Sequence, residues 1–130
     1  MAYTHQVQIN VNAANGQISS SNSYTDTGII GIDETIPGGA TVTFTNFDVD
    51  VTAVMSIVML CDRDIVLTVN TSDATISLKA GVALIWQSDG YFYNPLCTSP
   101  SLVDVTSLKA VLASGADANL KIEVISHLTP

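Results

Sequence analysis

Apolar and polar residues alternate with a period of two along almost all of this chain, and that period leaves little besides β-strand open to it. In YTHQVQINV, Val7, Ile9 and Val11 share one face while Gln6, Gln8 and Asn10 share the other. NAANGQ supplies a turn at Asn15 and Gly16, and the polar strand after it has Ile18 and Tyr24 as its apolar points. GIIGIDETI leads to Pro37, Gly38 and Gly39, a strong chain reversal. In ATVTFTNF, Val42 and Phe44 oppose Thr41, Thr43 and Thr45, threonines whose branched Cβ suits a pleated surface.

Over residues 49–61 the odd positions are apolar without a break, while the even ones begin polar at Asp50, Thr52 and Ser56 and turn apolar at Val58 and Leu60. This strand is therefore expected to start with one wet face, finish buried on both, and lie in the centre of a sheet. Ile65, Leu67 and Val69, then Ile76 and Leu78, then Val82, Leu84 and Trp86 mark the inward faces of three more strands. Residues 102–113 have a helical alternative, but Val103, Val105, Thr106 and Val111 weigh against it. Two strands joined at ASGAD read better, the second showing Leu120, Ile122 and Val124. The expectation is one domain over residues 1–130, all-β: an antiparallel β-sandwich, jelly-roll-like, of about eight to ten short strands.

Charge narrows the functions. The net charge is −8 with only Arg63, Lys79, Lys109 and Lys121 as cations, too few and too scattered to replace the counterions of a nucleic acid or to hold an anionic membrane. Charged residues are 12% of the chain, about half the usual share; Thr, Ser and Asn fill the polar places. That surface belongs either to an ordinary Thr/Ser-rich β-protein or to one with large contacts, whose centres are depleted of charge. MAYTHQVQINVN lacks the basic and apolar parts of a secretory leader, and the apolar run 53–61 is far short of the roughly 20 residues of a membrane helix. Synthesis in a reducing cytoplasm, with Cys61 and Cys97 as free thiols, is the expectation.

Catalytic groups are sparse. His5 and His127 are the two histidines, each near a chain end, and both are expected as exposed or strand-edge side chains. Folding could bring a serine and an acid to one of them, but no G-x-S-x-G marks a positioned nucleophile. Asn46, Asp48 and Asp50 alternate along one side of an extended segment, and Asp62 and Asp64 flank Arg63 in a turn. Calcium would want six to eight oxygens, and a solvated strand face explains these carboxylates better. No catalytic residue, cofactor or metal ligand is assigned.

The strongest binding signal is QSDGYFYNPLCTSP, which sets Tyr91, Phe92 and Tyr93 in succession before Asn94 and Pro95. Exposed aromatics can stack on sugars, but outward aromatics on a loop are typical of protein contacts. Tyr91, Phe92, Tyr93 and Asn94 are therefore read as partner-contact residues, with sugar binding second, and Trp86 as a core residue.

Several stretches of the second half carry a likeness: LKAGVALIW ending in Trp86, then Asn94, Pro95 and Leu96, then Asp104, Val105 and Thr106, then the turn at Ser114, Gly115 and Ala116. With MAYTHQVQIN and IGIDETIP fitting more loosely, the chain resembles the small all-β decoration, or cement, proteins of tailed-bacteriophage capsids. The resemblance implies a jelly-roll-like structural protein that forms a homo-oligomer, a trimer, on the outer capsid surface of the virion. It would bind between subunits of the major capsid protein and carry no enzymatic activity. The alternative within virions is a tail-fibre or receptor-binding β-domain that recognises host glycans.

Overall fold

The computed structural model describes residues 3–26, 28–45, 47–70, 74–88, 94–96 and 104–126. Ten strands and no helix occur among them. A hairpin of β1 (Tyr3–Ala13) and β2 (Gly16–Asp26) comes first. Then follow β3 (Gly28–Ile36), β4 (Thr41–Phe44), β5 (Val54–Cys61), β6 (Ile65–Val69), β7 (Ala74–Leu78), β8 (Leu84–Gln87), β9 (Leu108–Val111) and β10 (Ala118–Ser126). These eight form two four-stranded antiparallel sheets, ordered β3-β10-β5-β8 and β4-β9-β6-β7. The molecule is an all-β sandwich with a separate two-stranded hairpin.

The strand pairs have a common logic. β3 pairs with β10, β4 with β9, β5 with β8 and β6 with β7. The chain thus doubles back once, between β6 and β7, and each earlier strand finds its partner in the returning half. The doubled ribbon is then rolled, bringing β5 against β10 and β6 against β9. Of these eight strands only β6 and β7 are consecutive in one sheet; the other connections between β3 and β10 cross from sheet to sheet.

The inward rows make the core. Ile57, Met59 and Cys61 of β5 and Leu120 and Val124 of β10 are fully buried or nearly so. They face Leu67 and Val69 of β6 and Leu108 and Ala110 of β9, all part of one cluster. Trp86 is half-buried against that cluster, as is Leu84. Cys61 is a free, buried thiol. Cys97 and His127 lie outside the described residues.

Four local expectations are corrected. The odd-numbered apolar face of β5 is broken by a bulge opposite Ile125 and Ser126, so Val54 rather than Met55 is buried. Beyond the bulge the other face does not become core. Ser56 is fully buried while Leu60 is 39% exposed, because the hairpin covers only one end of that face. Val82 is exposed, since β8 begins only at Leu84. The hairpin loop is Ala14 and Asn15, with Gly16 already paired to Ala13 at a positive φ of 127° that a side chain would disfavour.

Loops at one end are fastened to each other. Gly39 N–H donates to Ala113 O at 3.0 Å, Gly38 N–H to Asp117 Oδ1 at 3.0 Å, and Arg63 Nη1 to Ala116 O. Asp62 accepts from the backbone N–H of Asn119 at 2.8 Å and from its amide at 3.1 Å. Elsewhere Asn70, in the left-handed region at φ 49°, accepts from Thr106 N–H at 2.7 Å and donates to Asp104 O at 2.7 Å. It pins the segment entering β9.

The turn holding Gly38 generates a prediction. A Cβ there would stand 1.9 Å from the Gly115 carbonyl oxygen, backbone against backbone, which no rotamer change relieves. Gly38→Ala should destabilise the domain by about 1–3 kcal/mol, the usual range for overpacking, read as a lower urea midpoint at unchanged slope.

Candidate functional site

The feature that invites a functional reading is the base of the hairpin. β1 and β2 lie on the far face of the β3-β10-β5-β8 sheet, where His5, Val7 and Tyr24 are buried together with Ser56 and Ile125, outside the main core. His5 Nε2 is 2.7 Å from Glu123 Oε1, and Nδ1 is 2.9 Å from Ser56 Oγ. An ionised carboxylate only accepts, so Nε2 carries a proton; in the neutral ring Nδ1 then accepts from the Ser56 hydroxyl. Tyr24 Oη donates to Gln87 Oε1 at 2.9 Å, and Asn22 Nδ2 donates to the same oxygen at 3.0 Å.

His5 is thus 8% exposed and inside a network, not the solvent-facing side chain its position near the terminus suggests. The register explains it. Val7 is two residues along on the same face, and both turn inward where the hairpin lies on the sheet. Only the pairing of distant strands brings residues 5, 56 and 123 together, so no local motif announces them.

Serine, histidine and glutamate in a hydrogen-bonded row are the parts of a nucleophilic relay, but the geometry differs where acyl transfer would need it. Ser56 is fully buried in the middle of β5, with β8 and β10 paired on either side. Its backbone lies within these ladders rather than in a loop that could aim free N–H groups at an oxyanion. What the trio does physically is fasten the hairpin: each histidine nitrogen holds a different strand, β5 or β10.

Beside this latch runs a groove of about 500 Å³ on the same sheet face. Val58 and Leu60 are its apolar lining on β5, with Glu123 and Lys121 beside them on β10, Asp33 on β3 and His5 from the hairpin. Gly31 is paired opposite Glu123, and a Cβ there would stand 3.3 Å from the Ile122 carbonyl oxygen. A smaller hollow of about 350 Å³ lies where Asp33 and Glu34 meet Phe44 and Phe47 at the margin of the two sheets.

The aromatic residues read as contacts, Tyr91, Phe92 and Tyr93, lie outside the described residues. Asn94 is described and is buried. Its Oδ1 accepts from Leu96 N–H at 2.9 Å and its Nδ2 reaches Val51 O at 3.5 Å, so its amide is engaged within the chain, beside the fully buried Leu96.

The carboxylates serve loops. Asp64 Oδ1 accepts from Ala80 N–H at 2.8 Å, and Asp104 Oδ1 from Val51 N–H at 3.2 Å. Asp50 Oδ1 accepts from the Thr52 hydroxyl at 2.6 Å and from Thr52 N–H at 3.0 Å. These two bonds, the hydroxyl first, hold the Asp50 carboxyl below its ordinary pKa. Among the described residues no group of three or more His, Cys, Asp or Glu is placed to hold a metal ion, and no helix is long and apolar enough to cross a membrane.

His5→Ala should cost about 1–3 kcal/mol, because it empties a buried position and leaves Ser56 without its bond. Glu123→Gln should cost less than about 1 kcal/mol, since that side chain is 49% exposed. Hydrogen exchange should quicken across β1 and β2 in His5→Ala while β6 and β9 keep their protection. For Asp50, the depressed folded pKa means its contribution is complete at neutral pH and is lost only as pH falls below about 4, the unfolded carboxylate range. Thr52→Val should move the Asp50 titration upward when followed by NMR.

No family model, no curated protein and no solved structure matches this chain.

Proposed function

We propose that this chain is a structural virion protein, one that decorates and stabilises a tailed-phage capsid by binding as a homo-oligomer between major capsid subunits on the outer surface. The observation that carries the reading is the rolled-ribbon topology, β3-β10-β5-β8 over β4-β9-β6-β7. That order supports a jelly-roll-like reading, and jelly rolls recur in viral capsid domains. Fold alone does not assign function, so the remaining support comes from chemistry. The relay-like trio found among the described residues has its serine sealed under the hairpin, which suits attachment better than catalysis. The net charge of −8 suits the outside of a shell rather than contact with packaged nucleic acid. Many modest contacts repeated by symmetry would give firm attachment through avidity.

The test is mass spectrometry of purified virions from the genome that encodes this chain. A copy number in fixed proportion to the major capsid protein is the expected result, and Tyr93→Ala should lower that occupancy while leaving the unfolding midpoint unchanged. A few copies per particle would instead indicate a tail-fibre or receptor-binding part. Absence from particles would overturn the virion reading altogether.

A further inference from the structure

The hairpin is longer than the surface it covers. Its contacts step across the sheet from Glu123 on β10, through Ser56 on β5, to Gln87 on the edge strand β8. Beyond that edge every residue over 8–12 and 14–21 is exposed. At about 3.3 Å per residue the free part is an arm roughly 20 Å long. The register puts His5, Val7, Ile9 and Val11 on one face with Tyr24, Asn22, Ser20 and Ile18 opposite them. The face buried at the base therefore continues along the arm, where Ile9, Val11 and Ile18 are 40%, 49% and 66% exposed. Val11 and Ile18 are direct cross-strand partners, so they form one apolar knob near the tip.

We propose that this arm docks on a second copy of the chain, in the groove lined by Val58 and Leu60. Two observations select a second copy. First, the molecule already shows which surface this hairpin face fits: its inner half lies on the outer face of the β3-β10-β5-β8 sheet. Val58 and Leu60 prolong that same face, next to where His5 and Glu123 bind, and Leu60 is 39% exposed with Ile85 at 41% beside them on β8. Second, copies that each carry −8 repel except where they meet through uncharged surface, and residues 8–21 contain no charged side chain. At the groove Lys121 offsets one of the two carboxylates, Asp33 and Glu123, and the arm brings no charge of its own. A bare two-stranded arm with three exposed β-branched residues and unpaired edges is an aggregation hazard unless something covers it. Arm and groove are different patches, so the contact is either exchanged reciprocally in a two-fold dimer or passed head to tail around a closed ring. This inference rests on the homo-oligomer part of the proposed function and not on the capsid.

The experiment is sedimentation of the purified full chain with the single variants Ile18→Asp and Leu60→Asp, both at exposed positions where folding, checked by circular dichroism, should persist. Wild type should sediment as an oligomer at micromolar concentration. Each variant alone should be monomeric, with association weakened on the order of a hundredfold by a carboxylate forced into an apolar contact. An equimolar mixture of the two should form dimers, because the intact arm of Leu60→Asp meets the intact groove of Ile18→Asp. An oligomer that ignores both substitutions overturns the arm contact while leaving self-association standing. A wild-type monomer overturns both, and a mixture that stays monomeric overturns the pairing of these two patches.

Discussion

Strand β10 is paired along both edges, to β3 over residues 118–126 and to β5 over most of the same length. Its inward side chains Ala118, Leu120, Ile122 and Val124 are all buried in the core. Its outward Ile125 is fully buried too, under the hairpin, and Glu123 beside it holds His5. This strand therefore bears on two packed layers at once: the sandwich on one side and the hairpin base on the other. The ladder that positions Leu120 and Val124 in the core also positions Glu123 against His5.

The two faces of that sheet are held by different physics. The inner face is apolar burial over a continuous cluster, non-directional and tolerant of small adjustments. The outer face is covered only where the hairpin crosses, and there the fit is directional: a histidine bridging Ser56 and Glu123, and Gln87 accepting from both Tyr24 and Asn22. Buried polar groups of this kind cost free energy unless every member finds its partner. The consequence is a hairpin with one orientation, and with it a fixed direction for the arm beyond β8.

Much of the fold was legible in the residues. Ile65, Leu67, Val69, Ile76 and Leu78 alternate cleanly and are buried as alternation demands. Pro37, Gly38 and Gly39 mark a true reversal. The misreadings on the outer face of the sheet and along the hairpin share one cause. Val7, Ile9 and Val11 look alike in sequence, yet only Val7 has a sheet beneath it; Ser56 looks wet and Leu60 looks buried, and the hairpin reverses both. The His5 network was hidden for the same reason, since its members are separated by 51 and 118 positions and carry no spacing signature.

From the sequence alone came the strands, the faces they turn inward, the turns between them and a strongly acidic, cation-poor surface. These follow from local sterics and from side-chain period, properties that each stretch has by itself. Tertiary structure alone decided the rest: which strands pair, that the doubled ribbon rolls into two sheets, where the hairpin lies, and which apolar residues are left uncovered. Those outcomes depend on contacts between residues far apart in the chain, and a period of two says which side a residue faces but never what stands opposite it.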